Sequence, residues 1–134
     1  MPQVSRSSGR PRRPTNAELD VLRVLWEIGP ATVRDVHARL SASKPLAYTT
    51  TLKTLQVMAE KGFVTRNDSQ RSHVYAAALP ADQTQRTLVG DLLARAFSGN
   101  LDKFIMQAVA AKRATPRELA DVRKLLKEYE RSLK

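Results

Sequence analysis

The chain has 134 residues, no cysteine and a formal net charge of +10 at pH 7, a length that suits one domain or two small ones. Without cysteine, a disulfide framework, a thiol nucleophile and a thiolate metal site are all excluded. The sequence has neither the ~18 consecutive apolar residues of a membrane span nor the apolar core of a secretory signal. We therefore expect a cytoplasmic protein without membrane insertion. Its basic charge favours a polyanionic partner, nucleic acid ahead of a membrane surface.

Residues 1–14 have the composition of a disordered basic arm. They contain four arginines and no acidic residue, together with Ser, Gly and Pro. Such an arm can be a solvated tail without a role, or it can contact phosphates or the minor groove of DNA. In the second interpretation the DNA-binding candidates of the arm are Arg10, Arg12 and Arg13.

Three helices are predicted between residues 15 and 61. The first two begin with capping boxes, Thr15 with Glu18 and Thr32 with Asp35. The first helix ends at Gly29-Pro30, the second ends before Lys44-Pro45, and the third covers 47–61 and ends at Gly62. Apolar residues at helical spacing predict the buried sides. They are Leu19, Val21, Leu22, Leu25, Trp26 and Ile28, then Val33, Val36 and Leu40, then Leu52, Leu55, Met58 and Ala59.

Two short β-prone runs, 63–66 and 72–76, flank a polar loop and predict a hairpin. Three helices followed by a hairpin are the order of a winged helix-turn-helix domain, here residues 15–79. The predicted fold class is therefore mainly α with a small β-hairpin wing.

Residues 80–134 read as helix only and predict a second, helical domain. The last helix begins with a capping box, Thr115 to Glu118, with Pro116 in its first position. Its apolar residues follow a heptad-like spacing, and amphipathic helices of this size need a partner to cover their apolar sides. We expect a homodimer, with packing on the first domain as the alternative. The dimerisation candidates are Leu92, Phe104, Ile105, Leu119, Val122, Leu126, Tyr129 and Leu133.

The third helix has a polar side that suits the major groove of DNA. Threonine offers a hydroxyl and a methyl group to bases, and lysine donates to guanine. A solvated helix surface is the alternative for each residue, and Tyr48 can either pack or bond a phosphate. The candidates are Tyr48, Thr49, Thr50, Lys53 and Thr54 in the helix and Arg66, Arg71 and His73 in the wing. His37 and His73 have no partner at metal-ligand spacing, so no metal site is expected.

Residues 46–56, LAYTTTLKTLQ, and 60–64, EKGFV, resemble the third helix and first wing strand of the penicillinase-repressor family. This family includes the β-lactamase, methicillin-resistance and copper-responsive repressors. Residues 17–19, 25–26 and 32–36 add to the resemblance, which is strong over 15–79 and only architectural over 81–134. It implies a dimeric winged-helix repressor that binds double-stranded DNA at a palindromic operator and has a helical dimerisation domain.

The family resemblance also bears on the inducing signal. The absence of cysteine excludes copper sensing by the cysteine cluster of the copper branch. In the β-lactam branch a membrane metalloprotease sensor triggers cleavage of an Asn-Phe bond in the dimerisation domain. The corresponding bond here is Gln107-Ala108, a dipeptide that does not match, and Asn100-Leu101 is a substitute.

Three other classes of function compete with the repressor. The sequence has no Gly-rich phosphate loop and no Ser/His/Asp arrangement, so neither an enzyme nor a cofactor is expected. A non-specific nucleic-acid-binding protein would need only the net charge, but it leaves the neutral threonine-rich side of the third helix unexplained. A winged-helix regulator that senses a small ligand is the remaining alternative.

Overall fold

The computed structural model describes residues 13–69 and 71–134. Six helices and three strands are present in this part of the chain. In chain order they are α1 (Asn16–Ile28), β1 (Ala31–Thr32), α2 (Val33–Ser41), α3 (Tyr48–Lys61), β2 (Val64–Asn67), β3 (Val74–Ala77), α4 (Ala81–Phe97), α5 (Leu101–Lys112) and α6 (Pro116–Ser132). The predicted mainly helical class with a small β-sheet is confirmed.

The ends of α1, α2 and α3 follow from local side-chain chemistry. The hydroxyl of Thr15 accepts from the Glu18 amide at 3.1 Å, and the Glu18 carboxylate accepts from the Thr15 amide at 2.9 Å. Thr32 and Asp35 form the same reciprocal pair at the start of α2. Gly62 ends α3 with a φ of +89°, a left-handed conformation that strains other residues. Both predicted capping boxes and the glycine stop are confirmed.

The sheet has one strand more than the sequence predicted. β2 and β3 form the expected antiparallel hairpin, with Val64 opposite Ala77 and Arg66 opposite Tyr75. β1 adds to the other edge of β3, so the strand order is β1-β3-β2. The predicted hairpin is confirmed, but β1 was not predicted, because a strand of two residues is too short to show alternation.

The core lies between the three helices and the sheet. Its fully buried members include Val36, Leu55, Met58 and Tyr75, and the predicted stripes of α1, α2 and α3 supply most of it. Two details differ from the sequence prediction for α1: Val24 is buried, whereas Ile28 is 36% exposed. Ile28 is the last residue of α1, at an end where the helix no longer packs.

Thr51 is a polar member of this core and is satisfied there. It is 1% exposed, and its Oγ1 lies 3.0 Å from Nδ1 of His37 on α2. The pair joins α2 to α3 by a side-chain hydrogen bond. A buried hydroxyl with a partner does not incur the free-energy cost of an unsatisfied polar group.

The chain divides into two compact units, the first ending at Leu88 and the second running from Val89 to Lys134. The division falls within α4, so the boundary placed before residue 80 stays a prediction. In the second unit, Phe97 and Phe104 meet edge to face at 5.3 Å between ring centroids. Thr115 and Glu118 form the predicted capping box of α6, with Pro116 as its first residue.

The helices of the second unit expose most of their apolar side chains. All of the buried hydrophobic residues in the described part of the chain belong to the first unit. Among the described residues of the second unit, the large hydrophobics classed as exposed are Val89, Leu92, Leu101, Met106, Val122, Leu125, Leu126, Tyr129 and Leu133.

Candidate nucleic-acid interface

Helix α3 has one buried side and one exposed side. Thr51, Leu55 and Met58 point into the core, whereas Thr49, Thr50 and Lys53 are exposed. Thr54 is half-buried, and its hydroxyl donates to the Thr50 carbonyl at 2.8 Å, which leaves it only acceptor capacity. The start of α3 has no side-chain cap, unlike those of α1 and α2, so its first amides remain available for an anion or water.

Tyr48 stands at the start of this exposed side in a position fixed by packing. It is 47% exposed, and its ring meets the His37 ring edge to face at 5.4 Å. Since His37 also contacts Thr51, the three side chains connect the first turn of α3 to α2. The ring of Tyr48 thus packs against His37, while its exposed part stays accessible.

A groove of about 500 Å³ separates the start of α3 from the wing. It is lined by the start of α2, by Tyr48 and Leu52 of α3, and by residues before β3. Its lining residues are Thr32, Val33, Arg34, Asp35, Tyr48, Leu52, Arg71, Ser72 and His73. Sequence reasoning missed Arg34 and Ser72. Arg34 lies inside the predicted capping box of α2, between Thr32 and Asp35, and this position in the first turn was an available signal for it.

The groove and the exposed side of α3 carry cations without acidic partners. Within 13–69 and 71–134, Lys53, Arg34 and Arg71 form no ion pair. Asp35 also lines the groove, but its carboxylate accepts from the Thr32 amide in the α2 cap. Unpaired cations beside an uncapped helix start favour an anionic partner such as a phosphate backbone.

The basic side chains of Arg66 and His73 in the wing share one carboxylate. Asp68 Oδ1 lies 2.8 Å from Arg66 Nε and 2.8 Å from His73 Nδ1. Hydrogen bonding to the Tyr75 side chain and to Asp68 raises the pKa of Arg66 above its ordinary value. All three side chains of the cluster are about half exposed.

A second groove, of about 440 Å³, places the start of α1 beside α3. Thr15 and Ala17 line it together with Thr50, Lys53 and other residues of α3. Arg13 is exposed two residues before Thr15, so the chain enters α1 next to the polar side of α3. Arg10 and Arg12 lie outside the described residues.

The predicted dimerisation residues all lie on α4, α5 and α6 or at the end of α6. Leu92, Val122, Leu126, Tyr129 and Leu133 are between 37% and 69% exposed, whereas Phe104, Ile105 and Leu119 are half-buried. Exposed leucine and tyrosine along one helix are available for a partner surface.

The residues considered for cleavage lie on α5. Gln107 and Ala108 are exposed in its middle, and Asn100 is its N-cap before the exposed Leu101. Cleavage of Gln107-Ala108 would require local unwinding, because a helical peptide bond is not in an extended conformation.

Two kinds of feature are absent from the described residues. None of their helices combines the length and the apolar character that spanning a membrane requires. Their histidine and acidic side chains form no cluster of three or more that could hold a metal ion.

The sequence matches known regulators over much of its length. A Transcriptional regulator BlaI is found in two strains of Mycobacterium tuberculosis, CDC 1551 / Oshkosh and ATCC 25618 / H37Rv. Each is 41% identical over 80 residues, which are 59% of this chain and 58% of the relative. This chain thus matches less than two thirds of the length of these relatives.

A solved structure shares the fold. The crystal structure of a MarR mutant from E. coli has a TM-score of 0.50 at 18% identity, covering 87% of this chain and 77% of that one. The family model described as Penicillinase repressor matches residues 14–128, which cover helices α1 to α5 and most of α6. The chain is therefore a winged-helix protein of the penicillinase repressor family.

Proposed function

We propose that the protein is a dimeric transcriptional repressor that binds a palindromic operator in double-stranded DNA. The observation that carries this proposal is the uncovered polar side of α3, flanked in the described ranges by Lys53, Arg34 and Arg71 without acidic partners. Family membership and the relatives named as transcriptional regulators support it.

In this proposal α3 enters the major groove with its first two turns. Thr49 and Thr50 offer hydroxyl and methyl groups to base edges, and Lys53 donates to guanine O6 and N7. The groove lined by Arg34 and Arg71 then receives the phosphate backbone that borders the major groove. The wing and the arm with Arg10, Arg12 and Arg13 add contacts to phosphates or the minor groove.

Two copies joined through residues 80–134 place two α3 helices on one side of the DNA. Half-site centres are then spaced by about 10 base pairs, one turn of the duplex. The exposed apolar residues of α6 support this assignment of the dimer surface. Repression follows from steric exclusion of other proteins from the occupied operator.

Release from DNA by proteolysis stays a prediction from the family resemblance. A membrane metalloprotease sensor is the partner that it requires, and Gln107-Ala108 or Asn100-Leu101 is the bond. A sensor of this type encoded beside the protein would support this route.

A small-ligand sensor is the competing function. Its best site is an open cleft of about 710 Å³ between α1, α2 and the start of α4. Four of the five charged side chains there pair with each other, Asp20 with Lys44 and Glu27 with Arg39, while Arg23 forms no ion pair within the described ranges. No buried side-chain polar atom in the described part of the chain lacks a hydrogen-bond partner. The cleft therefore has no buried polar group left unpaired for a ligand to bind.

The test is a titration of the full chain against the DNA upstream of its own gene and against a scrambled duplex, over a salt series. We expect a complex with two protomers per site that survives near physiological salt on the upstream duplex only. Equal and steeply salt-dependent binding to both duplexes would instead indicate a non-specific nucleic-acid-binding protein.

A further inference from the structure

We propose that Asp68 restrains DNA binding by the wing: its carboxylate occupies the basic side chains of Arg66 and His73, and this lowers affinity for any DNA sequence. The proposal rests on the DNA-binding function proposed above. It gives Asp68, which sequence reasoning did not single out, a role opposite to that of its neighbours.

The contacts of Asp68 define the restraint. Its carboxylate receives Arg66 twice, from Nε at 2.8 Å and from a terminal guanidinium nitrogen at 3.1 Å. It also receives His73 Nδ1 at 2.8 Å. Arg66 belongs to β2 and His73 directly precedes β3, so one carboxylate holds basic side chains from both arms of the hairpin.

The hairpin also has contacts that do not involve Asp68. The turn after β2 has its own hydrogen bond, from the Ser69 amide to Asn67 Oδ1 at 2.9 Å. Arg66 also lies opposite Tyr75 in the pairing of β2 with β3. The hairpin itself is held by the pairing of residues 64–67 with 74–77, so the charge of Asp68 is available for another role.

The charge of Asp68 is isolated among basic and neutral residues. It is the single acidic residue of the hairpin, residues 64–77. Arg71 and Arg34 line the adjacent groove and have no acidic partner in the described ranges. A carboxylate here is repelled by the phosphates that these arginines attract.

Exchange of partners limits what the wing gains on DNA. An exposed ion pair is weak, so a phosphate can displace Asp68 from Arg66 or His73. Each exchange nevertheless breaks an existing contact with Asp68. A side chain that starts out paired with Asp68 therefore releases fewer counterions from DNA than an unpaired cation would. Because phosphates are the same in every sequence, the restraint weakens operator and random DNA alike. In a protein of net charge +10 this reduces binding to non-operator DNA.

The test compares the full-length wild type with Asp68→Asn on the upstream and scrambled duplexes at several salt concentrations. We expect Asp68→Asn to bind both duplexes more tightly by the same factor, about three- to tenfold at low salt, with a steeper salt dependence. The control is Asp121→Asn, which makes the same charge change at an exposed position of α6; its effect should be much smaller.

A second variant separates restraint from support of the wing. Asp68→Ala removes the hydrogen bonds as well as the charge, and it too should bind more tightly. Weaker binding by both Asp68 variants, or an effect of Asp68→Asn no larger than that of Asp121→Asn, would overturn the restraint. A wild type that binds both duplexes equally would refute the operator-specific repressor, whereas tighter binding by Asp68→Asn to both would still support the restraint.

Discussion

Lys53 is the residue whose proposed role in recognising the DNA sequence can be tested most directly. It is exposed on α3, and among the described residues it has no acidic partner. If it donates to a base, Lys53→Ala should cost about 1–3 kcal/mol on the operator and much less on scrambled DNA, as measured by equilibrium titration. Lys103→Ala on α5 removes the same charge from another exposed position and is the control. Equal losses on both duplexes would assign Lys53 to the phosphate backbone.

Glu18 links the cap of α1 to the end of α3 and makes the first unit sensitive to acid. Burial would raise its pKa, but the hydrogen bond from Lys61 at 2.8 Å, the hydrogen bonds of Thr15 and the Lys61 charge outweigh it. The pKa of Glu18 is therefore lowered from its ordinary 4.5. The ionised form is favoured by folding, so this stabilisation is present above pH 4.5 and is lost as the pH falls through the folded-state pKa.

Glu18→Gln tests this link. It keeps oxygen for the cap but loses the charge, so we expect a loss of about 1–3 kcal/mol near neutral pH and a flatter stability profile from about pH 5 to more acidic values. Urea unfolding followed by the fluorescence of Trp26, the single tryptophan, measures both. Glu118→Gln changes the corresponding, more exposed residue of the α6 capping box and should change this signal less. An unchanged pH profile in Glu18→Gln would contradict the assignment.

At the scale of elements, the short strand β1 and the contacts around α3 are the features that could not be predicted from the sequence. Capping boxes and Gly62 act within a few residues, so α1, α2 and α3 were predictable to within a few residues. The bond between His37 and Thr51 joins two helices, and the sharing of Asp68 depends on the shape of the hairpin. Neither of these contacts produces a periodic pattern in the sequence. Arg34 likewise became a candidate only when α2 was seen beside Tyr48.

Helix α6 is the element on which the proposed dimer depends. Val122 and Leu126 are 37% and 54% exposed and lie one turn apart. Val122→Asp together with Leu126→Asp would bury charges in an apolar seam, so we expect monomers by sedimentation velocity. Ala120→Asp, at an exposed position off the seam, should leave the dimer intact. A double variant that still sediments as a dimer would show that the interface lies elsewhere.

At the scale of the whole molecule, the two units differ in how much apolar surface they bury. The first has a buried core and an uncovered basic side, while the second has little buried apolar surface of its own. The order of helices and the hairpin were readable from the sequence, because each begins or ends at a local signal. The inducing signal could not be predicted from the sequence, since Gln107-Ala108 differs from the Asn-Phe bond of the β-lactam branch.

Two copies of the winged helix are proposed to bind one palindromic site through paired α3 helices. Hydroxyl-radical footprinting of the full chain on its upstream DNA tests this most directly. We expect two equivalent protected half-sites, related by a dyad, with centres about 10 base pairs apart on one side of the duplex. Uniform protection along the fragment, or a single unpaired half-site at saturation, would contradict it.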